Sequence, residues 1–326
     1  MAHELTTNRI SGAVEMAYTG ELPWHGLGQE LPPGARMETW LESAGMEWTV
    51  RRSKVMYYAD RAQTDLRADN DNVVLTRSDT GDRLGIVSAD YSVVQPFEVL
   101  EFFRSLVEDN GFQLHTAGTL FGGKRYWALA KVAEAVLPGN DKVGGFLLLS
   151  TSSDGSRATE ARETTVRVVC NNTLSAAFAG PAPVARSTHR SPFNPAMFKA
   201  QLDFGVEGFG QFVEAAKALT KIKVGEAAAE AFLMSLLRPG TKDEDAETVR
   251  RPRGMDTVLA LFDGAGRGSA LIGAEGTAWG LLNAVTEYVD HFATAQTVSH
   301  RLDRALFGSG AEMKTEAFKR LITQGV

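Results

Sequence analysis

The hydrophobic period of this chain changes once, and that change constrains the fold more than any other feature. Before residue 180, apolar residues recur mostly at two-residue spacing in short runs bounded by glycine and polar turn formers, the period of half-buried strands. Beyond 195 they recur at three- and four-residue spacing over long stretches, the period of helices. Residues 181–195, between the two regimes, carry Pro181, Pro183, Pro192 and Pro195 and read as a linker. The expected class is α+β: an antiparallel sheet with hairpins and packed helices over 1–180, then a mainly helical C-terminal lobe over 196–326. At 326 residues the chain exceeds the roughly 250 to 300 at which a single core stops growing, which agrees with two lobes.

Finer spacing places the elements. Residues 37–44 read as a short helix stopped by Gly45, and 50–58, 72–76 and 83–88 read as strands. Pro96 suits a first helical turn, Val99, Leu100, Phe103, Leu106 and Val107 form one stripe, and Gly111 ends a helix over 96–110. Two hairpins follow, 112–120 with 125–132 around Gly122-Gly123, and 143–151 with 164–170 around Asp154-Gly155. Residues 172–179 leave the sheet as a helix. In the second lobe 197–221, 225–237, 276–295 and 312–323 read as helices, with 238–253 a mobile polar loop.

Chemistry is sparse. Cys170 is the one cysteine, in an apolar strand context without a nearby base, so it reads as a core residue in a reducing, cytoplasmic setting. The six histidines lack zinc-type spacing, and no metal, cofactor or catalytic residue is expected. Gly264-Ala265-Gly266-Arg267-Gly268 departs from dinucleotide and phosphate-loop patterns and reads as a turn. Asp290-His291 reads as a helix-end cap rather than an acid/base pair. The first ten residues show no secretory pattern, and no run of about 18 apolar residues spans a membrane.

What remains is local charge. The chain is net acidic, −6, yet between residues 155 and 200 Arg157, Arg162, Arg167, Arg186, Arg190 and Lys199 face only Glu160 and Glu163. Lys124 and Arg125 at the other hairpin tip, and Arg51, Arg52 and Lys54, extend the cluster, while alternation predicts that Tyr126 or Trp127 faces outward. Cations beside exposed rings hold single-stranded nucleic acid. The other reading, pairing of these arginines with local acids at a sheet edge, stays open.

Several strings are shared with a known family. Pro23-Trp24-His25-Gly26-Leu27-Gly28, Ala44-Gly45-Met46-Glu47-Trp48, Asp154-Gly155-Ser156, Val166-Arg167-Val168-Val169-Cys170-Asn171-Asn172-Thr173-Leu174, and the run from Thr277-Ala278-Trp279-Gly280 to Asp290-His291 resemble the phage/plasmid-like protein family, domain of unknown function 932. Where that family more often has asparagine-serine-histidine before the aspartate, this chain has Thr151-Ser152-Ser153. The resemblance implies a mobile genetic element as origin. By analogy with annealing proteins of such elements, it points to single-stranded DNA binding in recombination by a homo-oligomer, through Lys124, Arg125, Tyr126, Trp127, Arg157, Arg162 and Arg167. The alternative is a protein-interaction factor, such as an inhibitor of host defence or a virion-associated component, that binds no nucleic acid. The arginine-to-leucine string also reads structurally, as a strand-to-helix corner with an asparagine N-cap.

Overall fold

A computed structural model of the chain describes residues 5–20, 27–167, 172–174, 184–201, 206–237 and 251–323. It is α+β, and its contacts divide it into two units that do not follow the sequence in two blocks. The first unit takes residues 1–132, 147–162 and 183–203, and the second takes 133–146, 163–182 and 204–326. The lobes expected at 1–180 and 196–326 are contiguous in sequence, whereas these two contact units interleave. The physical reason is strand length: the strands at 125–137, 141–152 and 159–167 are each long enough to contribute residues to both units.

The first unit contains β1 (Met16–Thr19), β2 (Gln29–Leu31), α1 (Met37–Ser43), β3 (Val50–Tyr58), β4 (Leu66–Arg77), β5 (Arg83–Ser88), α2 (Pro96–Asn110) and β6 (Gln113–Leu120). It also holds most of β7 (Arg125–Leu137), the end of β8 (Asp141–Ser152) and the start of β9 (Thr159–Arg167). The expected hairpin joins β6 and β7, pairing Leu120 with Arg125 and Gln113 with Lys131. Its turn needs left-handed backbone at Phe121, Gly122 and Gly123 (φ 57, 71 and 87), and glycine supplies two of the three without strain. Antiparallel pairing extends from β6 to β1, whereas β1 and β2 pair in parallel.

Helix α2 forms at the expected limits because both ends are signalled locally. A capping box links Gln95 and Glu98, and Gly111 ends the helix with φ 70. Its inner stripe of Val99, Leu100, Phe102, Phe103 and Leu106 is buried. Strands β3, β4 and β5 make a separate antiparallel three-stranded sheet.

The second unit contains β10 (Asn172–Leu174), α4 (Val206–Leu219), α5 (Glu226–Leu237), α6 (Met255–Ala260), α7 (Ala278–Glu287), α8 (Val298–Phe307) and α9 (Ser309–Thr323), while α3 (Pro195–Gln201) belongs to the first. Every residue of α7 is buried. Thr277 caps its start by accepting from the Gly280 N–H, and the Trp279 indole donates to buried Asp141 at 2.9 Å. Phe212, Leu233, Val258, Leu281 and Phe318 pack in the same core.

Other expectations are revised. Residues 172–174 are a strand, pairing with Arg167, Val166 and Thr165, and not the start of a helix; 175–179 lie outside the described residues. The expected linker contains β11 (Val184–Ser187), which pairs with β9 from Arg162 to Thr159. Cys170 and residues 238–250 lie outside the described residues, as do Pro23 to Gly26. No helix among the described residues is long and apolar enough to cross a membrane.

Candidate nucleic-acid interface

The hairpin tips gather part of the predicted cluster. The Ser153 N–H donates to the Lys124 carbonyl at 2.7 Å, and Arg125 donates to the Ser156 hydroxyl at 3.2 Å while its guanidinium lies 5.0 Å over the Phe121 ring. Arg157 is fixed through its backbone, its N–H donating to Ser152 Oγ at 3.1 Å. Its carbonyl faces His189 Nε2 at 3.1 Å, and that ring stacks on Tyr91 with centroids 4.3 Å apart. Burial holds the His189 pKa below the ordinary histidine value, outweighing the two backbone carbonyls at its ring nitrogens. Lys124, Arg125 and Arg157 are thus brought together at one end of the sheet.

The rest of the cluster fares differently. Arg162 is paired with Glu160, whose second oxygen takes Arg186 at 3.1 Å, so one carboxylate offsets two arginines on neighbouring strands. This is the local pairing left open from the sequence. The Arg167 side chain lies outside the described residues. Tyr126 and Trp127 are both buried, which corrects the expectation that one of the two rings faces outward. The five residues Tyr126 to Ala130 are all buried, so β7 is covered on both faces and alternation sends neither ring to solvent. The Tyr126 hydroxyl bonds Val94 and Ser153, and the ring meets Trp48 edge-on at 5.9 Å.

Exposed rings stand elsewhere, on a ribbon formed by β3 and β4. Strand β5 pairs with β4 only from Asn72 to Thr76, so Val55–Tyr58 and 66–69 pair with each other alone. Met56, Tyr57, Tyr58 and Leu66 are all about half exposed there. A bulge between Lys54 and Val55 takes up three extra residues of β4, and Asp69 organises it by accepting from the N–H groups of Asp71 and Asn72 and from the Asn72 side chain. Those bonds, led by the one from Asn72, hold the Asp69 carboxyl below the usual range.

Register fixes which side chains share a face. Arg52 lies in the row of Leu75 and Gly85, and Lys54 in the row of Val73 and Val87. That face turns toward the 153–155 hairpin tip, because a Cβ at Gly85 would stand 2.7 Å from Asp154 Cα. Two-residue spacing continues the same face of β3 through Met56 and Tyr58. An exposed strip therefore runs Arg52, Lys54, Met56, Tyr58 along this face of β3. Neither Arg52 nor Lys54 makes an ion pair among the described residues; Arg52 donates to the Ala89 carbonyl, which leaves its charge uncompensated. The sequence showed these cations but not the openness of both ribbon faces, since alternation in 50–58 reads like that of any half-buried strand.

No group of three or more histidine, cysteine, aspartate or glutamate side chains among the described residues can hold a metal ion. The glycine-rich stretch at 264–268 folds onto an internal carboxylate: the Arg267 N–H donates to buried Glu287 at 3.0 Å.

A family model described as Domain of unknown function (DUF932) matches residues 83–306, more than half of the chain. The chain belongs to the DUF932 family. Its matched span runs from β5 to α8, so β3 and β4 of this DUF932 protein precede it. No curated protein and no solved structure matches the chain.

Proposed function

We propose that this DUF932 protein binds single-stranded DNA along β3, inside the cell, in the recombination of a mobile genetic element. The supporting observation is the exposed strip Arg52, Lys54, Met56 and Tyr58. Cations on a nine-residue strand, about 30 Å long, meet successive phosphates, and Tyr58 offers a ring on which a base stacks. Lys124, Arg125 and Arg157 extend the cationic track toward the hairpin tips. Homo-oligomers would lengthen the track and suit strand annealing.

A second reading rests on the outer ribbon. Met56 faces Ala68 and Tyr58 faces Leu66 across the strands, an apolar face suited to a protein partner. In that case the chain is an interaction factor of a mobile element, acting on host defence or in a virion.

Fluorescence anisotropy with labelled single-stranded DNA at low and moderate salt separates the two. Salt-sensitive binding at micromolar protein, weakened several-fold by Lys54→Gln and by Tyr58→Ala, is expected, with Lys54→Gln also flattening the salt slope by about one. Absence of salt-sensitive binding rejects the DNA reading and leaves the protein partner.

A further inference from the structure

We infer that the free edge of β3 is a dimer interface, at which it pairs antiparallel with β3 of a second copy of this chain. The three-stranded sheet has the order β3-β4-β5, and among the described residues no strand pairs with the edge of β3 away from β4. At its base that edge is closed: the Val50 N–H donates to the Gln95 side-chain oxygen at 2.7 Å, and the Gln95 amide donates back to the Val50 carbonyl at 3.3 Å. Beyond Val50 it is open. The Ala59 N–H points the other way, donating to the Asp65 carbonyl at 2.8 Å. Strand backbone alternates, and Val50 and Ala59 agree on the phase: odd-numbered residues of β3 bond β4, whereas Arg52, Lys54, Met56 and Tyr58 turn their N–H and C=O groups outward. All four are exposed. The bulge after Lys54 places its extra residues in β4, so β3 itself runs unbroken.

A row of outward backbone donors and acceptors is a template for another strand. The side chains decide which strand fits. Along β3 the cations Arg51, Arg52 and Lys54 precede the apolar run Val55, Met56, Tyr57 and Tyr58. A parallel second copy would set cation beside cation. An antiparallel one sets the cationic half of each strand against the apolar half of the other, the self-complementarity that a two-fold interface requires.

Hydrogen bonding and charge together fix the register. Outward-facing residues must oppose outward-facing residues, so even-numbered positions meet even-numbered ones. A two-fold at Lys54 sets lysine on lysine, and one at Val55 leaves the two lysines diagonal neighbours. A two-fold at Met56 avoids both. Met56 then meets its own copy, Val55 meets Tyr57, Lys54 meets the Tyr58 ring, and Arg52 comes level with Asp60. The two exposed strips lie on one face of a continuous sheet in this register, which supplies the oligomer that the DNA reading invokes. The pairing itself rests on the backbone edge and needs no DNA.

Sedimentation equilibrium of the full chain without DNA tests this, with circular dichroism to confirm that each variant folds. A concentration-dependent dimer is expected. Met56→Pro removes an outward N–H that β4 does not use, and Met56→Lys sets two lysines at the two-fold; each should raise the dimer dissociation constant ten-fold or more. In a Cys170→Ser background, Met56→Cys should cross-link on oxidation, because directly opposed Cα atoms stand about 5.5 Å apart, within disulfide range, whereas Ser53→Cys should not. A wild type that stays monomeric up to millimolar concentration would overturn the interface and leave the edge to a strand of another protein. Folded Met56→Pro or Met56→Lys dimerising as the wild type does, or cross-linking through Ser53→Cys in place of Met56→Cys, would overturn it as well. Met56→Lys keeps every cation of the strip, so loss of the dimer and failure of DNA binding are read separately.

Discussion

Arg77 and Glu15, 62 residues apart in sequence, form a bidentate ion pair in the interior of the first unit, at 2.6 and 3.0 Å with both side chains almost wholly buried. Asp79 takes the remaining edge of the guanidinium, Thr119 donates to Glu15, and the Trp48 ring lies 4.4 Å from the guanidinium carbon. Burial opposes the arginine's charge, yet the hydrogen bonds it donates to Asp79 and Glu15, with their negative charge, outweigh it, and the net shift is upward. Removing Arg77 leaves Glu15 in a dry site without its cation, and removing Glu15 leaves Arg77 with Asp79 alone. Glu15→Leu should therefore cost about 3–5 kcal/mol, and the double variant Glu15→Leu/Arg77→Met clearly less than the sum of the Glu15→Leu and Arg77→Met singles. Urea midpoints of the four proteins check this, and additive losses would refute the coupling.

Burial pushes the pKa of His115, on β6, down to about 4, with the Lys131 charge a smaller contribution in the same direction. Unfolded, the ring takes a proton near pH 6.5. Above that pH both states are neutral and the histidine contributes no slope. Between about pH 6.5 and pH 4 the unfolded state binds the proton and the folded state does not, so stability falls with falling pH by about 3 kcal/mol in all. His115→Phe should remove this slope in urea titrations at pH 7, 6, 5 and 4. An unchanged slope would mean that other groups carry it.

Much of the fold is legible because it is signalled locally. The 96–110 helix carries its stops in Gln95, Glu98 and Gly111, and the 83–88 strand its alternation. What was missed depends on distant partners. Strand β2 pairs in parallel with β1, a pairing no turn announces. Strand β11 sits among prolines, which a short peripheral strand tolerates at its flanks. The same limit governs the site. Lys124, Arg125 and Arg157 could be read as cations, but whether Tyr126 or Tyr58 is the open ring depends on which strand has both faces covered. Nothing within nine residues of sequence records that.

Gly280 opens α7 against the backbone of Ala274. A Cβ there would stand 2.0 Å from the Ala274 carbonyl oxygen, and a carbonyl cannot swing aside like a side-chain end. Helix propensity alone would make Gly280→Ala stabilising by about 1 kcal/mol. The clash reverses the sign, and a net loss of at least about 1–3 kcal/mol is expected. A rise in melting temperature for Gly280→Ala would show that the 271–276 turn yields to the helix.

The ribbon's tip depends on one carboxylate. Asp60 accepts from the Thr64 hydroxyl at 2.5 Å and from the N–H groups of Thr64 and Asp65 at 2.9 and 2.8 Å, closing the turn between β3 and β4. The Thr64 hydroxyl bond, foremost, holds its pKa below the ordinary aspartate value. For a depressed carboxylate the contribution is fully present above the unfolded value near 4 and is lost as pH falls through the lower folded one. Amide exchange at Thr64 and Asp65 should be slow at pH 6 relative to intrinsic rates, and that protection should fall below pH 4. Asp60→Ala should show the same loss at neutral pH while the β4–β5 pairs from Asn72 to Thr76 keep theirs, since those rest on a third strand. Equal protection in the two proteins would mean that the turn holds without its carboxylate, and that the exposed end of the strip is shaped by strand pairing alone.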